Sequence, residues 1–159
     1  MCPPESHDER VVRLRQSVLE APVVWKGDYA YFVHPLTDGV PRQSARMLSE
    51  ARDIVLEMVD WDSVDLIVGI EAMGIPLAST ISIATEKPLV IARKRSYELP
   101  GEIVVDQSTG YSKGTIYLND VNEGDRVFII DDVVSTGGTL RAVLGAVEGA
   151  GAIVQDVII

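Results

Sequence analysis

The sequence predicts an α/β fold in which a central parallel sheet is covered by helices on both faces. Short runs of apolar residues, which are typical of buried parallel strands, recur along the second half of the chain. Between several of these runs lie longer segments whose apolar residues recur every three to four positions, as on one face of a helix. Strands that alternate with helices in this way indicate a parallel sheet.

The N-terminal part is predicted to hold one helix and an aromatic segment. Ser6 and Glu9 have the spacing of a capping box, and the helix that follows should end near Ala21. The stretch Trp25–Pro41 is rich in turn residues and aromatic residues. An amphipathic helix is predicted over Ser44–Val59.

The rest of the chain predicts strands, helices and one long hairpin. The predicted strands are Val64–Ile70, Pro88–Ala92, Ile103–Val105, Ile116–Leu118, Val127–Ile130 and Ala152–Ile159. Pro76 suits the first turn of a helix that continues to Ala84, and Gly149 begins the stop signal of a helix over Gly138–Glu148. The polar, glycine-containing stretch Asp106–Gly114 predicts a hairpin with a mobile tip.

Length and composition indicate one domain of an ordinary globular protein. Its 159 residues can bury a sizeable core, and we expect residues 1–43 to form an N-terminal segment and residues 44–159 the core. Because the last strand has no closing element, we also expect a segment beyond Ile159. No apolar run approaches the roughly 18 residues of a membrane helix. A polar N-terminus and the single Cys2 favour a cytoplasmic protein without a membrane partner.

The formal net charge of −10 argues against a nucleic-acid partner, whose binding depends on phosphate neutralisation. The acidic residues outnumber the basic ones, and most of the basic residues are arginines. Such a surface suits a protein in concentrated salt. It is equally typical of an ordinary acidic enzyme.

The stretch VFIIDDVVSTGGTL, Val127–Leu140, predicts a site for a ribose 5-phosphate. Asp131 and Asp132 follow a buried strand, so their carboxylates can accept hydrogen bonds from vicinal hydroxyls at the carboxyl edge of the sheet. The loop that follows leads into a helix N-terminus, which favours anions. This predicted phosphate nest consists of Ser135, Thr136, Gly137, Gly138 and Thr139. The alternative is an ordinary strand–turn–helix with two N-cap aspartates.

This stretch resembles the phosphoribosyl-pyrophosphate (PRPP) binding motif of the type I phosphoribosyltransferases. Three more segments are similar to that family in the same order. IVGIEAMGIPLA (Ile67–Ala78) resembles its pyrophosphate loop, ARKRSYELPGE (Ala92–Glu102) resembles the arginine–lysine segment of the adenine phosphoribosyltransferase-like branch, and QSTGYSKG (Gln107–Gly114) resembles the flexible catalytic loop. With DYAYFVHPLTDG (Asp28–Gly39), these motifs resemble those of the archaeal hypoxanthine/guanine phosphoribosyltransferase group.

The resemblance implies the type I phosphoribosyltransferase fold, with a flexible hairpin loop and a small N-terminal base-binding region. It also implies a purine salvage reaction that joins hypoxanthine or guanine to PRPP and releases IMP or GMP with pyrophosphate. Mg²⁺ would be bound together with PRPP. The family is typically homodimeric, so we expect a homodimer.

The resemblance also implies roles for individual residues. Asp131 and Asp132 would hold the ribose hydroxyls and Mg²⁺, the metal through water, and Tyr111 and Lys113 of the flexible loop would be catalytic. The base would contact Tyr29, Tyr31 and Phe32. The pyrophosphate would be bound by Glu71, Ala72, Met73, Gly74, Arg93 and Lys94. Because adenine-type relatives usually carry an arginine where Met73 stands, Arg93 and Lys94 are the stronger candidates for neutralising its charge.

The resemblance leaves the general base and the purine open. The 6-oxopurine enzymes of bacteria and animals have an acidic acid/base residue where this chain has Ser135. Glu71, Glu102 and substrate-bound water therefore stay as candidates. The alternatives are an adenine enzyme, an enzyme for another base such as xanthine, and a regulator that senses PRPP without turnover.

Overall fold

The computed structural model describes residues 7–108 and 113–159. The chain divides into two compact units, Met1–Met58 and Val59–Ile159. The predicted division after residue 43, which separates a base-binding segment from the core by expected function, stays a prediction. Ser6 of the predicted capping box and the tip of the predicted hairpin lie outside the described residues. Among the described helices, none is long and apolar enough to cross a bilayer.

The first unit contains helices that flank a small hairpin. Its elements in chain order are α1 (His7–Leu19), β1 (Val23–Lys26), β2 (Tyr29–Phe32), α2 (Pro35–Asp38) and α3 (Ala45–Met58). Two arginines of α1 pair with acidic residues of α3: Arg10 with Glu57, and Arg13 Nε with Glu50 Oε1 at 3.1 Å. These ion pairs fix α1 against α3.

The hairpin of β1 and β2 overlaps the stretch Trp25–Pro41, which the sequence analysis described as rich in turn and aromatic residues without predicting strands. Val23 pairs with Phe32 and Lys26 with Tyr29, and Gly27 between the strands has a φ of +61°. The signal for it is present in the sequence, because a Gly–Asp pair separates two runs of β-branched and aromatic residues.

The second unit is built on the predicted parallel sheet, which is confirmed. Its elements are β3 (Leu66–Ile70), α4 (Gly74–Thr85), β4 (Leu89–Ala92), β5 (Ile103–Ser108), β6 (Lys113–Leu118), β7 (Arg126–Ile130), α5 (Gly138–Gly149) and β8 (Ile153–Ile158). Within the described residues the parallel strands run in the order β4-β3-β7-β8. The predicted hairpin is the antiparallel pair of β5 and β6.

Helices α4 and α5 cover opposite faces of this sheet. A Cβ added at Gly69 would lie 2.6 Å from the Cβ of Ala78, so α4 packs closely on the face to which Gly69 points. Val68 points to the other face, because side chains alternate along a strand, and it shares a buried cluster with Val143 and Val147 of α5. The predicted helix at Pro76 begins earlier, at Gly74, which makes the proline part of the first turn, where it is tolerated.

Candidate functional site

The carboxyl ends of β3 and β7 form the crevice in which a ligand is expected. These two strands are neighbours, with Gly69 opposite Ile130. The chain leaves β3 through α4 toward β4 on one side, and leaves β7 through α5 toward β8 on the other. Such a reversal of direction is a topological switch point, which is the usual ligand position in open α/β sheets.

The loop after β3 packs directly against the acidic pair that follows β7. A Cβ added at Gly74 would lie 3.0 Å from Asp131 Oδ1 and 3.0 Å from the carbonyl oxygen of Ile130. Any side chain at this position would therefore displace either the loop or Asp131. The structure thus brings together the predicted pyrophosphate loop and the predicted ribose ligands.

Asp131 is a buried carboxyl group with an unusual affinity for its proton. It is 9% exposed, and its Oδ1 accepts a hydrogen bond from the backbone N of Asp132 at 2.9 Å. Burial raises the pKa of Asp131 to about 7, and a side-chain hydrogen bond with Asp132 acts in the same direction. The positive charge of Lys94 lowers this pKa, so Lys94 lies within electrostatic reach of the pair.

The predicted phosphate nest surrounds a cavity of about 270 Å³ next to Asp131. Its lining is Asp131, Val133, Val134, Ser135, Thr136, Gly137, Gly138, Thr139 and Leu140. Gly137 is the N-cap of α5 and has a φ of +75°, a conformation in which a Cβ would be strained. The loop can thus turn its main chain toward a bound anion at the helix N-terminus. The volume is close to the lower end of small-molecule pockets, roughly 300 Å³.

The predicted pyrophosphate loop forms the entry to α4. The peptide bond between Glu71 and Ala72 is cis, Met73 is the N-cap, and Gly74 is the first residue of the helix. The N–H group of Glu71 donates to the carbonyl oxygen of Ala92 at 3.0 Å. This amide is therefore occupied within the sheet and is not free to bind pyrophosphate.

The cationic residues after β4 lie beside this loop. Oε2 of Glu71 accepts a hydrogen bond from the backbone N of Lys94 at 3.3 Å and lies 3.3 Å from Arg93 Nε. The contact with Arg93 is an ion pair rather than an aligned hydrogen bond, since Nε is buried without a hydrogen-bond partner among the described atoms. The guanidinium carbon lies 5.3 Å from the centre of the Tyr97 ring.

Glu102 is held by several donors and is poorly suited to act as a base. Its carboxylate accepts hydrogen bonds from the hydroxyl of Ser96, from the backbone N of Tyr97 at 3.0 Å and from Asn119 Nδ2 at 3.0 Å. The Ser96 hydrogen bond contributes most to lowering the pKa of Glu102 to about 2. This arrangement indicates that Glu102 stabilises the loop between β4 and β5 rather than accepting a proton in the reaction.

The predicted base-binding residues belong to the first unit. The hydroxyl of Tyr31 donates to Asp38 Oδ1 at 2.6 Å, and its ring lies 6.5 Å from that of Phe32. Asp38 Oδ2 also accepts a hydrogen bond from the backbone N of His34 at 3.0 Å. Tyr29 begins β2, and its backbone alone is described.

His34 is a buried structural residue, to which the sequence analysis assigned no catalytic role. It is 2% exposed, its Nδ1 accepts a hydrogen bond from the backbone N of Leu36 at 3.2 Å, and its Nε2 lies 3.0 Å from Ser17 Oγ. Burial lowers the pKa of His34, while the negative charge of Asp38 acts in the opposite direction. The lowered pKa favours the neutral ring, which caps α2. A polar residue before a proline is the sequence signal for such a cap.

The predicted catalytic loop and metal ligands are only partly described. Tyr111 lies outside the described residues, and of Lys113 only the backbone, which begins β6, is described. Among the described side chains no group of three or more histidine, cysteine, aspartate or glutamate residues is arranged to hold a metal ion. The adjacent carboxylates of Asp131 and Asp132 are hard oxygen ligands, which suit a Mg²⁺ ion that keeps most of its waters.

Comparison with known proteins assigns the chain to a family. Residues 43–158 match the model of the phosphoribosyl transferase domain. The chain is 55% identical to the hypoxanthine/guanine phosphoribosyltransferase of Ferroglobus placidus over 144 residues, which is 91% of this chain and 76% of the relative. It is 53% identical to the protein of the same name from Methanocella paludicola over 146 residues, or 92% and 76% of the two chains.

Solved structures show the same fold. The adenine phosphoribosyltransferase of Rhodothermus marinus superposes with a TM-score of 0.72 at 25% identity, over 91% of this chain and 81% of that one. The adenine phosphoribosyltransferase of Leishmania tarentolae superposes with a TM-score of 0.76 at 20% identity, over 96% and 74% of the two chains.

Proposed function

The chain belongs to the phosphoribosyl transferase domain family, and from that premise we propose that it salvages purines by joining hypoxanthine or guanine to PRPP. The products are IMP or GMP and pyrophosphate. The chain is a purine phosphoribosyltransferase, and the choice of 6-oxopurines is supported by relatives at 55% and 53% identity that carry this name. The observation that carries the proposal is the crevice at the switch point. There the acidic pair of Asp131 and Asp132 lies near the loop of residues 135–139 and near a cationic edge, which consists of Arg93 and Lys94.

The ribose 5-phosphate is proposed to bind at the end of β7. Its phosphate occupies the nest of residues 135–139, where the N-terminal amides of α5 point toward it and the helix dipole favours its negative charge. Its vicinal hydroxyls donate hydrogen bonds to Asp131 and Asp132. These contacts hold C1 of the sugar over the crevice and orient it for attack by the base.

The leaving pyrophosphate is proposed to bind at the ends of β3 and β4. Breaking the bond at C1 leaves positive character on the ribose ring and negative charge on the pyrophosphate. Ala72, Met73 and Gly74 lie at the N-terminus of α4, whose dipole favours an anion, and Arg93 and Lys94 supply positive charge beside it. The acidic pair next to the ring stabilises its developing positive charge.

The residues present suit Mg²⁺ bound together with PRPP. Asp131 and Asp132 would hold it through water, and the substrate would supply its other ligands. When bound, the ion neutralises charge on the pyrophosphate. The protein's own contribution at this point is to hold the two carboxylates and Lys94 around the place where that charge develops.

Further parts of the proposal rest on the family resemblance. They are a catalytic role of Tyr111 and Lys113, contacts of the base with Tyr29, Tyr31 and Phe32, a homodimer, and a cytoplasmic location without nucleic-acid or membrane partners. Glu102 is disfavoured as the general base by its low pKa, so Glu71 and substrate-bound water stay as candidates.

The proposed substrate choice is tested by incubating the protein with PRPP, Mg²⁺ and one purine base at a time, and following nucleotide formation by absorbance. We expect turnover of hypoxanthine and guanine and at least about a hundredfold lower kcat/KM with adenine, because a site whose donors match a 6-oxo group leaves buried donors unpaired against a 6-amino group.

An adenine enzyme is the second candidate, favoured by the likeness to the adenine phosphoribosyltransferase of Rhodothermus marinus at 25% identity. Turnover of adenine alone would establish it in place of the proposal. Tight PRPP binding without turnover of any base would instead indicate a PRPP-sensing regulator.

A further inference from the structure

The carboxylate of Glu71 contacts both residues of the cationic edge. Its Oε2 lies 3.3 Å from the backbone N of Lys94 and 3.3 Å from Arg93 Nε. The sheet itself produces this arrangement, because Ile70 pairs with Ala92 and the amide of Glu71 donates to the Ala92 carbonyl at 3.0 Å. Glu71 therefore follows the end of β3 at the same height along the sheet at which Arg93 and Lys94 follow the end of the neighbouring β4.

Arg93 is held by backbone and side-chain contacts, although part of its side chain is exposed. Its backbone exchanges two hydrogen bonds with Tyr117 of β6, at 2.9 and 2.7 Å. Its Nε lies 3.3 Å from Glu71 Oε2, and its guanidinium carbon lies over the ring of Tyr97, 5.3 Å from the ring centre. To bind pyrophosphate, Arg93 would have to give up its ion pair.

Lys94 differs from Arg93 in what its side chain does. Its amide donates a hydrogen bond to Glu71, whereas its side chain is exposed at the carboxyl end of β4, next to the loop that enters α4. Among the described contacts, Lys94 is thus the cation whose side chain is not engaged by Glu71.

A carboxylate in a loop that binds a polyanion repels the ligand unless its own charge is neutralised. We infer that Glu71 is a positioning residue: it keeps Arg93 in an ion pair and fixes the backbone of Lys94, so that Lys94 binds the leaving pyrophosphate. This inference rests on the proposed function and assigns separate tasks to the two cations.

The test is a double-mutant cycle with Glu71→Ala and Lys94→Ala, read as KM for PRPP and KM for the purine. Glu71→Ala should raise the KM for PRPP about tenfold, the value of one lost charge-assisted hydrogen bond, and leave the KM for the purine within about twofold. The double variant should be no worse than Lys94→Ala alone, because Glu71 acts through Lys94. Additive effects in the cycle would overturn the inference.

Two further variants separate positioning from general stability. Glu71→Gln keeps an oxygen acceptor for the Lys94 amide, so its KM for PRPP should rise only about threefold. The matched control is Asp65→Ala, which removes a carboxylate at the opposite end of β3 that pairs with Arg126 at 2.7 Å. It should lower the melting temperature without changing the KM for PRPP. An equal rise in that KM for Asp65→Ala would contradict a specific role of Glu71.

Calorimetric titration with pyrophosphate and Mg²⁺ distinguishes failure of this inference from failure of the proposed function. If purines are turned over but Glu71→Ala binds pyrophosphate as tightly as the unmodified protein, the inference is wrong and the function stands. If no purine is turned over while Glu71→Ala and Lys94→Ala weaken pyrophosphate binding equally, the inference stands and the function is wrong.

Discussion

Asp131 illustrates a conflict between function and stability at a single residue. The ribose hydroxyls need an ionised acceptor, but burial raises the pKa of this carboxyl group to about 7 from its ordinary value of 3.8. Between these two values the folded protein keeps a proton that the unfolded chain releases. The free energy of unfolding therefore falls as the pH rises from about 4 to about 7, and the cost remains above pH 7.

Replacing Asp131 by asparagine should consequently lower activity and raise stability. We expect kcat/KM to fall roughly tenfold to a hundredfold, as for the loss of a charged hydrogen-bond acceptor. In metal-free buffer the melting temperature of Asp131→Asn should exceed that of the unmodified protein at pH 8, with the difference shrinking toward pH 4. A lower melting temperature of this variant at pH 8 would show that the buried charge is not destabilising.

Asp65→Asn is the control of opposite sign. Hydrogen bonds from the Arg126 side chain lower the pKa of Asp65 to about 2. The stabilisation by this group is complete above its ordinary pKa of 3.8 and is lost as the pH falls toward 2. The variant should therefore melt below the unmodified protein at pH 8, and the two should converge in acid.

At the scale of elements, the position of α4 depends on glycines that permit close approach. Gly69 leaves room for Ala78 of α4, and Gly74 leaves room for Asp131 and the end of β7. The pyrophosphate loop between β3 and α4 is thus held against the acidic pair by backbone contacts. Its geometry depends on how closely the helix packs on the sheet.

Gly69→Ala should destabilise the protein by about 1–3 kcal/mol, the usual cost of overpacking, because its new Cβ would lie 2.6 Å from that of Ala78. Urea unfolding measures the change. The matched control is Gly145→Ala in α5, where nothing lies within 4 Å of the added Cβ and the higher helix propensity of alanine should stabilise by up to about 1 kcal/mol. Equal urea midpoints for the two variants would rule out the packing argument.

At the scale of the whole molecule, the balance of charge opposes compactness. The chain carries 24 acidic and 14 basic residues, a formal net charge of −10. Exposed ion pairs such as Arg126–Asp65 contribute little to stability because water and salt screen them, so they offset this repulsion weakly. The self-repulsion of an excess charge destabilises a folded chain and is screened by salt.

The melting temperature should therefore rise when KCl is increased from about 0.05 M to about 1 M at pH 8, since the Debye length falls to about 3 Å at the higher concentration. The rise should be much smaller near the sequence pI of 4.6, where the net charge vanishes. A fall in melting temperature with KCl at pH 8 would mean that ion pairs outweigh the net charge.

Much of the fold and part of the candidate site could be predicted from the sequence because they depend on local patterns. Runs of apolar residues indicate buried strands, so the parallel sheet and the hairpin of β5 and β6 were predicted correctly. The cavity formed by the loop of residues 135–139 was likewise signalled by its position between an apolar strand and a helix. The hairpin of β1 and β2 was missed although its Gly–Asp turn signal was present.

By itself, the sequence determined the strands, the helices and the chemistry available at their ends, because hydrophobic periodicity and turn residues act over a few positions. Only the tertiary structure decided which of these ends meet. The approach of Gly74 to Asp131 and the contacts of Glu71 with Arg93 and Lys94 join residues that are far apart in the chain. Those contacts depend on the order and register of the strands. Long-range packing sets both, and no short stretch of sequence contains that information.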